Sequence, residues 1–298
     1  MTWEFSLAGL VVGVLVGMTG MGGASLMTPI LILLFNTSPV TAIGTDIFYG
    51  AVTKTVGGWR HLRHGTVHRG IAFWLAVGSV PAAIGGVFLI EYLQNNYGED
   101  DVKNLVLGMV GAALLVVGIA TLLRAFFLSH TIPERAAMHL YGRHIAAAIL
   151  TGVVTGFVIG LTSAGSGTLI GISLIMIFRL TPQRVVGTDV FHAAVLLWAA
   201  GIAHWVGGNV DFGLAGNILV GSVPGVLIGA SLAVKAPQAF LRPALGVVLV
   251  ASSIVMLTKY GTADVVIPAL AVATAAIGAL LIGQVWSTRH LRAQEAAA

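Results

Sequence analysis

Shifting the chain by 143 residues lays residues 17–86 on residues 160–229 without a gap, and 26 of the 70 aligned positions are identical. A duplication of this kind constrains the fold more than any other feature. Whatever the first copy builds, the second must build again, and the two must share one core. The identical pairs include Gly17/Gly160, Thr19/Thr162, Gly22/Gly165, Pro39/Pro182, Asp46/Asp189 and His61/His204. Gly44-Thr45-Asp46 returns as Gly187-Thr188-Asp189, and Gly78-Ser79-Val80-Pro81 as Gly221-Ser222-Val223-Pro224.

The environment of that core follows from composition. Hydrophobic residues make up 57% of the 298 positions and charged residues only 9%. A soluble domain carries about 25% charged residues and could not cover its surface with so few. The chain is therefore an all-α integral membrane protein, which excludes a disordered chain or a nucleic-acid binder. The net charge of +4 and pI of 9.7 fit basic cytoplasmic loops. With no cysteine, disulfides, thiol catalysis and thiolate metal sites are excluded. The start Met1-Thr2-Trp3-Glu4 lacks a basic n-region, so no cleaved signal peptide is expected.

A bilayer core of about 30 Å asks for roughly 20 apolar residues per helix. Candidate spans are Ile43–Trp59, Ile71–Tyr92, Leu105–Leu128, Val186–Trp205, Leu214–Val234, Leu241–Leu257 and Val265–Trp286. Two apolar stretches, Phe5–Phe35 and Ile145–Phe178, are too long to be one span each, at more than about 45 Å as single helices. Each is broken in the middle by glycines and small polar residues, at Thr19–Ser25 and at Thr162–Thr168.

Loop charge decides how those stretches run. If each crosses the membrane once, the loop lysines and arginines divide seven to seven. If each is a re-entrant hairpin, one side holds twelve (Arg60, Arg63, Arg69, Arg124, Arg135, Arg143, Arg179, Arg184, Lys235, Arg242, Arg289 and Arg292) and the other only Lys103 and Lys259. Twelve against two is the bias of a cytoplasmic face. Each repeat then has one hairpin and three spans, and an odd number of crossings inverts the second repeat, a common plan in secondary transporters. The expected divisions are a first repeat over 1–128, a cytoplasmic linker over 129–144, a second, inverted repeat over 145–258, and an extra C-terminal helix with its tail over 259–298. The N-terminus and the acidic Glu99-Asp100-Asp101 loop fall outside, and the C-terminus in the cytoplasm.

The glycine-rich Gly17-Met18-Thr19-Gly20-Met21-Gly22-Gly23, its paler copy from Gly160 and the two Gly-Thr-Asp segments resemble the sulfite exporter TauE/SafE family of bacterial membrane permeases. Gly65-Thr66-Val67, Gly208-Asn209-Val210-Asp211 and the Gly-Ser-Val-Pro elements continue the likeness, which runs from about Leu7 to Leu257. The resemblance implies a bacterial inner-membrane exporter of small sulfur anions such as sulfite or organosulfonates. It also implies that Asp46 and Asp189 mark a subgroup, since some members carry Ser or Asn at the Asp46 position.

The hairpin tips are the candidate substrate site. Non-helical backbone at membrane depth survives only inside protein or facing a wet cavity. Second arms starting at the tips would aim N-terminal amides and the positive dipole end at the bilayer centre, where an anion can bind. Gly20, Gly22, Gly23 and Gly165 allow close approach. Thr19, Ser25, Thr162, Ser163, Ser166 and Thr168 add hydroxyls. The bland alternative is tight helix packing alone, which does suit the Gly9-Gly13-Gly17 and Gly152-Gly156-Gly160 ladders.

Ionisable residues inside spans are costly and mark function by default. Lys54 is a candidate for binding an anion, or else snorkels to the inner interface. Asp46 and Asp189 either form structural hydrogen bonds or carry a proton. His192 shares a helix face with Asp189. Two alternating contacts suggest themselves for coupling or gating, Asp46 with His204 on the outer side and Asp189 with His61 on the inner side, against the plain alternative of histidines at helix ends. The His61–Arg69 cluster reads as a topology signal, not a metal site.

No nucleotide-binding motif is present, so transport should be secondary, with a small anionic substrate, membrane lipid and protons as partners, no nucleic acid and no cofactor. Val265–Trp286 either caps the bundle or serves a homodimer contact. An anion channel is a rival. So is an intramembrane serine hydrolase that pairs Ser166 with His192 or His204.

Overall fold

A computed structural model describes residues 3–19, 24–126, 142–232 and 238–259. The described residues form ten helices and no strand: α1 Trp3–Thr19, α2 Ala24–Leu33, α3 Pro39–Arg63, α4 Arg69–Asn96, α5 Glu99–Phe126, α6 Gly142–Thr162, α7 Leu169–Met176, α8 Pro182–Val206, α9 Phe212–Leu232 and α10 Gln238–Lys259. The all-helical expectation is met. Five of them, α4, α5, α6, α8 and α9, contain stretches long and apolar enough to cross a membrane. The candidate helix Val265–Trp286, the linker over 129–141 and the tail lie outside the described residues.

Helix boundaries follow the sequence locally. Pro39 and Pro182 open α3 and α8, where a missing N–H costs nothing. Ser38 caps α3 by accepting from Thr41 N at 3.3 Å. Both long apolar stretches break where glycine and small polar residues interrupt them, into α1 and α2 and into α6 and α7. The arms are unequal. At 1.5 Å per residue, α1 and α6 are about 25 and 31 Å long, whereas α2 and α7 are about 15 and 12 Å. The duplication reaches the backbone angles. Asn36 and Arg179, 143 residues apart, both have φ 52°, and Gly65 and Gly208, likewise matched, have φ 68° and 73°. A left-handed turn thus closes corresponding elements in each copy.

Packing also repeats. α1 lies along α9 and α6 along α4, each pair running parallel: Gly9 and Gly13 face Ile218 and Ser222, while Gly152, Gly156 and Gly160 face Leu75, Ser79 and Ala83. At these five glycines an added Cβ would meet a facing backbone oxygen within 2.5 Å, so the helices touch main chain to main chain. α3 and α8 run antiparallel, with Gly50 facing Leu197 and Gly57 facing Val190. So do α5 and α10, where Gly111 faces Leu257, Gly118 faces Val250, and Ser253 Oγ donates to Gly111 O at 2.7 Å. The interhelical loops cross-link the copies reciprocally: His68 N donates to Thr188 Oγ1 at 2.9 Å and Asp211 N to Thr45 Oγ1 at 3.1 Å.

The feet of the broken stretches come together. Phe5, near the start of α1, packs against Phe35 just past α2 with ring centres 4.5 Å apart, and His144 of α6 lies 6.5 Å from Phe178 past α7.

Candidate functional site

The two breaks meet in the interior. Asp46, two turns into α3, is fully buried. Its Oδ2 accepts from the hydroxyl and the backbone N–H of Thr28 on α2, and from Ser163 Oγ at 2.9 Å across the repeat boundary. Ser25 Oγ, at the head of α2, accepts from Gly165 N at 3.2 Å. The Ser25 hydroxyl therefore ties the head of α2 to the second break, and the Ser163 hydroxyl ties that break to α3. Ser163 is held with φ 60°, and Gly165 and Gly167 with φ 107° and 97°, so the second tip is a left-handed, non-helical turn.

Cations reach the same turn. Lys54 is buried, and its Nζ donates to Ser166 Oγ at 2.8 Å. Arg124, at the end of α5, donates from Nη1 to Gly167 O at 2.9 Å. Its guanidinium lies so close over Gly171 that a Cβ there would meet Nη1 at 2.4 Å. This corrects the placement of Arg124 among the loop cations. It is 9% exposed, because its long side chain turns back into the bundle. Twelve less Arg124 still leaves eleven against two.

Thr168 Oγ1 lies 3.1 Å from Thr121 Oγ1 of α5, and Thr162 Oγ1 accepts from Ala164 N while donating to Val158 O. Asp189, the repeat counterpart of Asp46, is also buried. Each carboxylate keeps one buried oxygen, Oδ1, without a partner. Gly20, Gly22 and Gly23 lie outside the described residues, as does the side chain of Thr19.

The histidines take other partners. His204 Nε2 lies 3.0 Å from Gly160 O, His192 Nε2 lies 2.8 Å from Ser79 Oγ, and His61 Nδ1 lies 3.0 Å from Thr66 Oγ1. Neither Asp46–His204 nor Asp189–His61 is hydrogen-bonded among the described residues. Asp46 instead faces the Thr28 and Ser163 hydroxyls and the Thr28 amide. His61, beyond the span Ile43–Trp59, is half-buried; burial, then His64 and Arg60, hold its ring below the usual imidazole range. Among the described residues Ser166 pairs with no histidine; its hydroxyl is bonded to Lys54. Among the described residues no cluster of His, Asp or Glu is placed to hold a metal.

Thr28, Ser79, Thr121 and Arg124 join the site without having been singled out in sequence. The repeat of Ser79 as Ser222 was a usable signal. Thr28 had none, because its repeat counterpart is Gly171.

Hydroxyls, turn amides and two cations thus converge on one buried place, balanced by two carboxylates. Such a place can hold an oxyanion without a permanent charge excess.

The family model described as sulfite exporter TauE/SafE matches residues 5–256. The probable membrane transporter protein YjnA of Bacillus subtilis is 40% identical over 234 residues, covering 78% of this chain and 90% of that protein. The probable membrane transporter protein YdhB of the same organism is 30% identical, covering 78% and 91%. A probable membrane transporter protein of Methanocaldococcus jannaschii is 26% identical over 75% and 79%. No solved structure matches the chain.

Proposed function

Because the chain belongs to the sulfite exporter TauE/SafE family, we propose that this multi-pass membrane transporter exports a small anion, sulfite or an organosulfonate, by alternating access at the meeting point of the two tips. The observation that carries the proposal is the set of contacts that α2 and α3 make with the second break: Ser163 on Asp46, Gly165 on Ser25, and Lys54 on Ser166.

The architecture of the proposal is two inverted repeats with re-entrant hairpins. Matched helices α3 and α8 run antiparallel, which an inversion requires and a parallel repeat forbids. The Phe5–Phe35 and His144–Phe178 contacts bring the two ends of each broken stretch to the same end of the bundle. α6 is long enough to cross alone. It nonetheless serves as the long arm of a hairpin, since α7 returns the chain to its foot. A carrier of this plan rocks one repeat against the other around a fixed central site. The tip residues Ser25, Thr162, Ser163, Gly165, Ser166, Thr168 and Lys54 make the substrate contacts, together with Thr19, Gly20, Gly22 and Gly23. Asp46 and Asp189 carry the coupling role. The bacterial inner membrane is the location, with the N-terminus outside and the C-terminus in the cytoplasm.

The test is efflux of sulfite from proteoliposomes loaded with it. Wild-type protein should release sulfite faster than empty liposomes, and Ser166→Ala and Lys54→Gln should slow that release while eluting as well-folded protein. Wild-type flux in both variants would remove the tips from the pathway.

A further inference from the structure

The two half-sites, one at the tip of each copy, have diverged. Thr28, Ser163 and Lys54 stand against Gly171, Gly20 and Leu197 in the repeat, and Ser166 stands against Gly23. A hydroxyl is kept in both copies at Thr19 with Thr162 and at Ser25 with Thr168. Ser25 and Thr168, though matched, use their hydroxyls in opposite ways.

A serine or threonine hydroxyl has one proton to give and two lone pairs with which to accept. Three tip hydroxyls have given theirs to the protein. Thr162 donates to Val158 O at 2.6 Å and Ser163 to Asp46 Oδ2 at 2.9 Å. Thr121 donates to Val117 O at 2.7 Å, so in its 3.1 Å contact with Thr168 the proton comes from Thr168. Ser25 and Ser166 are held the other way round. Ser25 Oγ accepts from Gly165 N at 3.2 Å, and Ser166 Oγ accepts from the Lys54 ammonium, which can only donate, at 2.8 Å. Among the described residues neither serine has an acceptor for its own proton. Both are buried, at 5% and 2% exposure, where an ungiven proton is costly until a ligand accepts it. They meet on consecutive residues of the second turn, Ser25 at the Gly165 amide and Ser166 next in the chain.

Resting on the transport function proposed above, we infer that Ser25 and Ser166, one from each repeat, are the two hydroxyls that donate to the anion, and that Lys54 fixes Ser166 in the donating role. Thr162, Ser163 and Thr168 meet the substrate with no proton to give, and they hold the shape of the turn. An oxyanion offers acceptors only, so its partners must be groups whose protons are unspent. A donor already seated on each serine oxygen turns the O–H away from the occupied lone pair. It also polarises that O–H and strengthens the bond it then gives. The Lys54 ammonium spends one of its three donors on Ser166 and adds its charge beside it. The ligand that fits has several acceptor oxygens and no proton of its own to place, as the sulfite dianion and sulfonates have.

The experiment is initial-rate efflux of sulfite from proteoliposomes that hold the full chain and are loaded over a range of concentrations. Ser25→Ala and Ser166→Ala should each raise KM about tenfold or more, the loss of a hydrogen bond to a charged ligand. In both, kcat should change by less than about threefold, which separates lost binding from damaged protein. Thr168→Val removes the matched hydroxyl, whose proton is spent on Thr121, and should raise KM several-fold less than Ser25→Ala does. An unchanged KM in both alanine variants, or a KM raised as far by Thr168→Val as by Ser25→Ala, overturns the inference and leaves anion transport standing. If Ser25→Ala does not fold, Ser166→Ala against Thr168→Val decides in the same way. Wild-type proteoliposomes that release no sulfite overturn the transport function itself and the inference with it.

Discussion

Lys54 joins α3 to the second tip through Ser166. A hydrogen bond to a charged group contributes about 1.5–3 kcal/mol, so Lys54→Gln should weaken sulfite binding by roughly 10- to 100-fold, read by isothermal titration, without loss of helix content. His61 gives the opposite expectation. Its ring is held below the ordinary value, so it is neutral from about pH 6.5 upward and charges only as pH falls below that. His61→Gln should leave the pH profile of sulfite efflux unchanged between pH 7 and 8; a shifted profile there would restore His61 as a proton carrier. At this scale, Asp46, Asp189, Lys54 and the tip hydroxyls were legible because polar groups stand out in apolar sequence. Arg124 was not. An arginine at the end of an apolar helix looks the same in sequence whether it faces water or turns inward, and only tertiary packing decides.

At the level of elements, the glycine ladders separate packing from open space. Gly156 faces the Ser79 carbonyl so closely that no Cβ fits, whereas Gly85, on the neighbouring helix α4, has nothing within 4 Å of its own. Gly156→Ala should lower stability by about 1–3 kcal/mol, seen as a lower unfolding temperature in detergent. Gly85→Ala should raise it slightly, by about 0.5–1 kcal/mol, through helix propensity. Equal effects at both sites would mean that α4 and α6 do not pack as described. Element existence was legible from apolar length and from Pro39 and Pro182. The unequal arms were not: the glycine-rich breaks mark where each apolar stretch is interrupted, not how many residues on either side stay helical. The partners of the ladders were equally hidden: small-xxx-small spacing announces a close contact but not with whom.

At the scale of the whole molecule, the duplication returns as matched backbone turns in the two copies, and the orientation proposed from loop charge is open to a direct test. A cysteine at Asp100 should be labelled by an impermeant reagent from outside intact cells, and one at Arg63 only after lysis. The reverse pattern would invert the orientation, and labelling of both from outside would remove the hairpins. The divergence of the two half-sites was written in the repeat alignment, as Thr28 against Gly171 and Lys54 against Leu197, but its meaning needed the tips brought together. The central claim is that this meeting point is the substrate site of a carrier, which alternates and does not conduct through an open pore. Counterflow in proteoliposomes tests it most directly. With excess unlabelled sulfite inside, entry of radiolabelled sulfite should accelerate and transiently overshoot its equilibrium level, and Lys54→Gln should abolish the overshoot. Entry that is not accelerated by internal sulfite, while sulfite still permeates, would be the behaviour of a channel and would contradict the account.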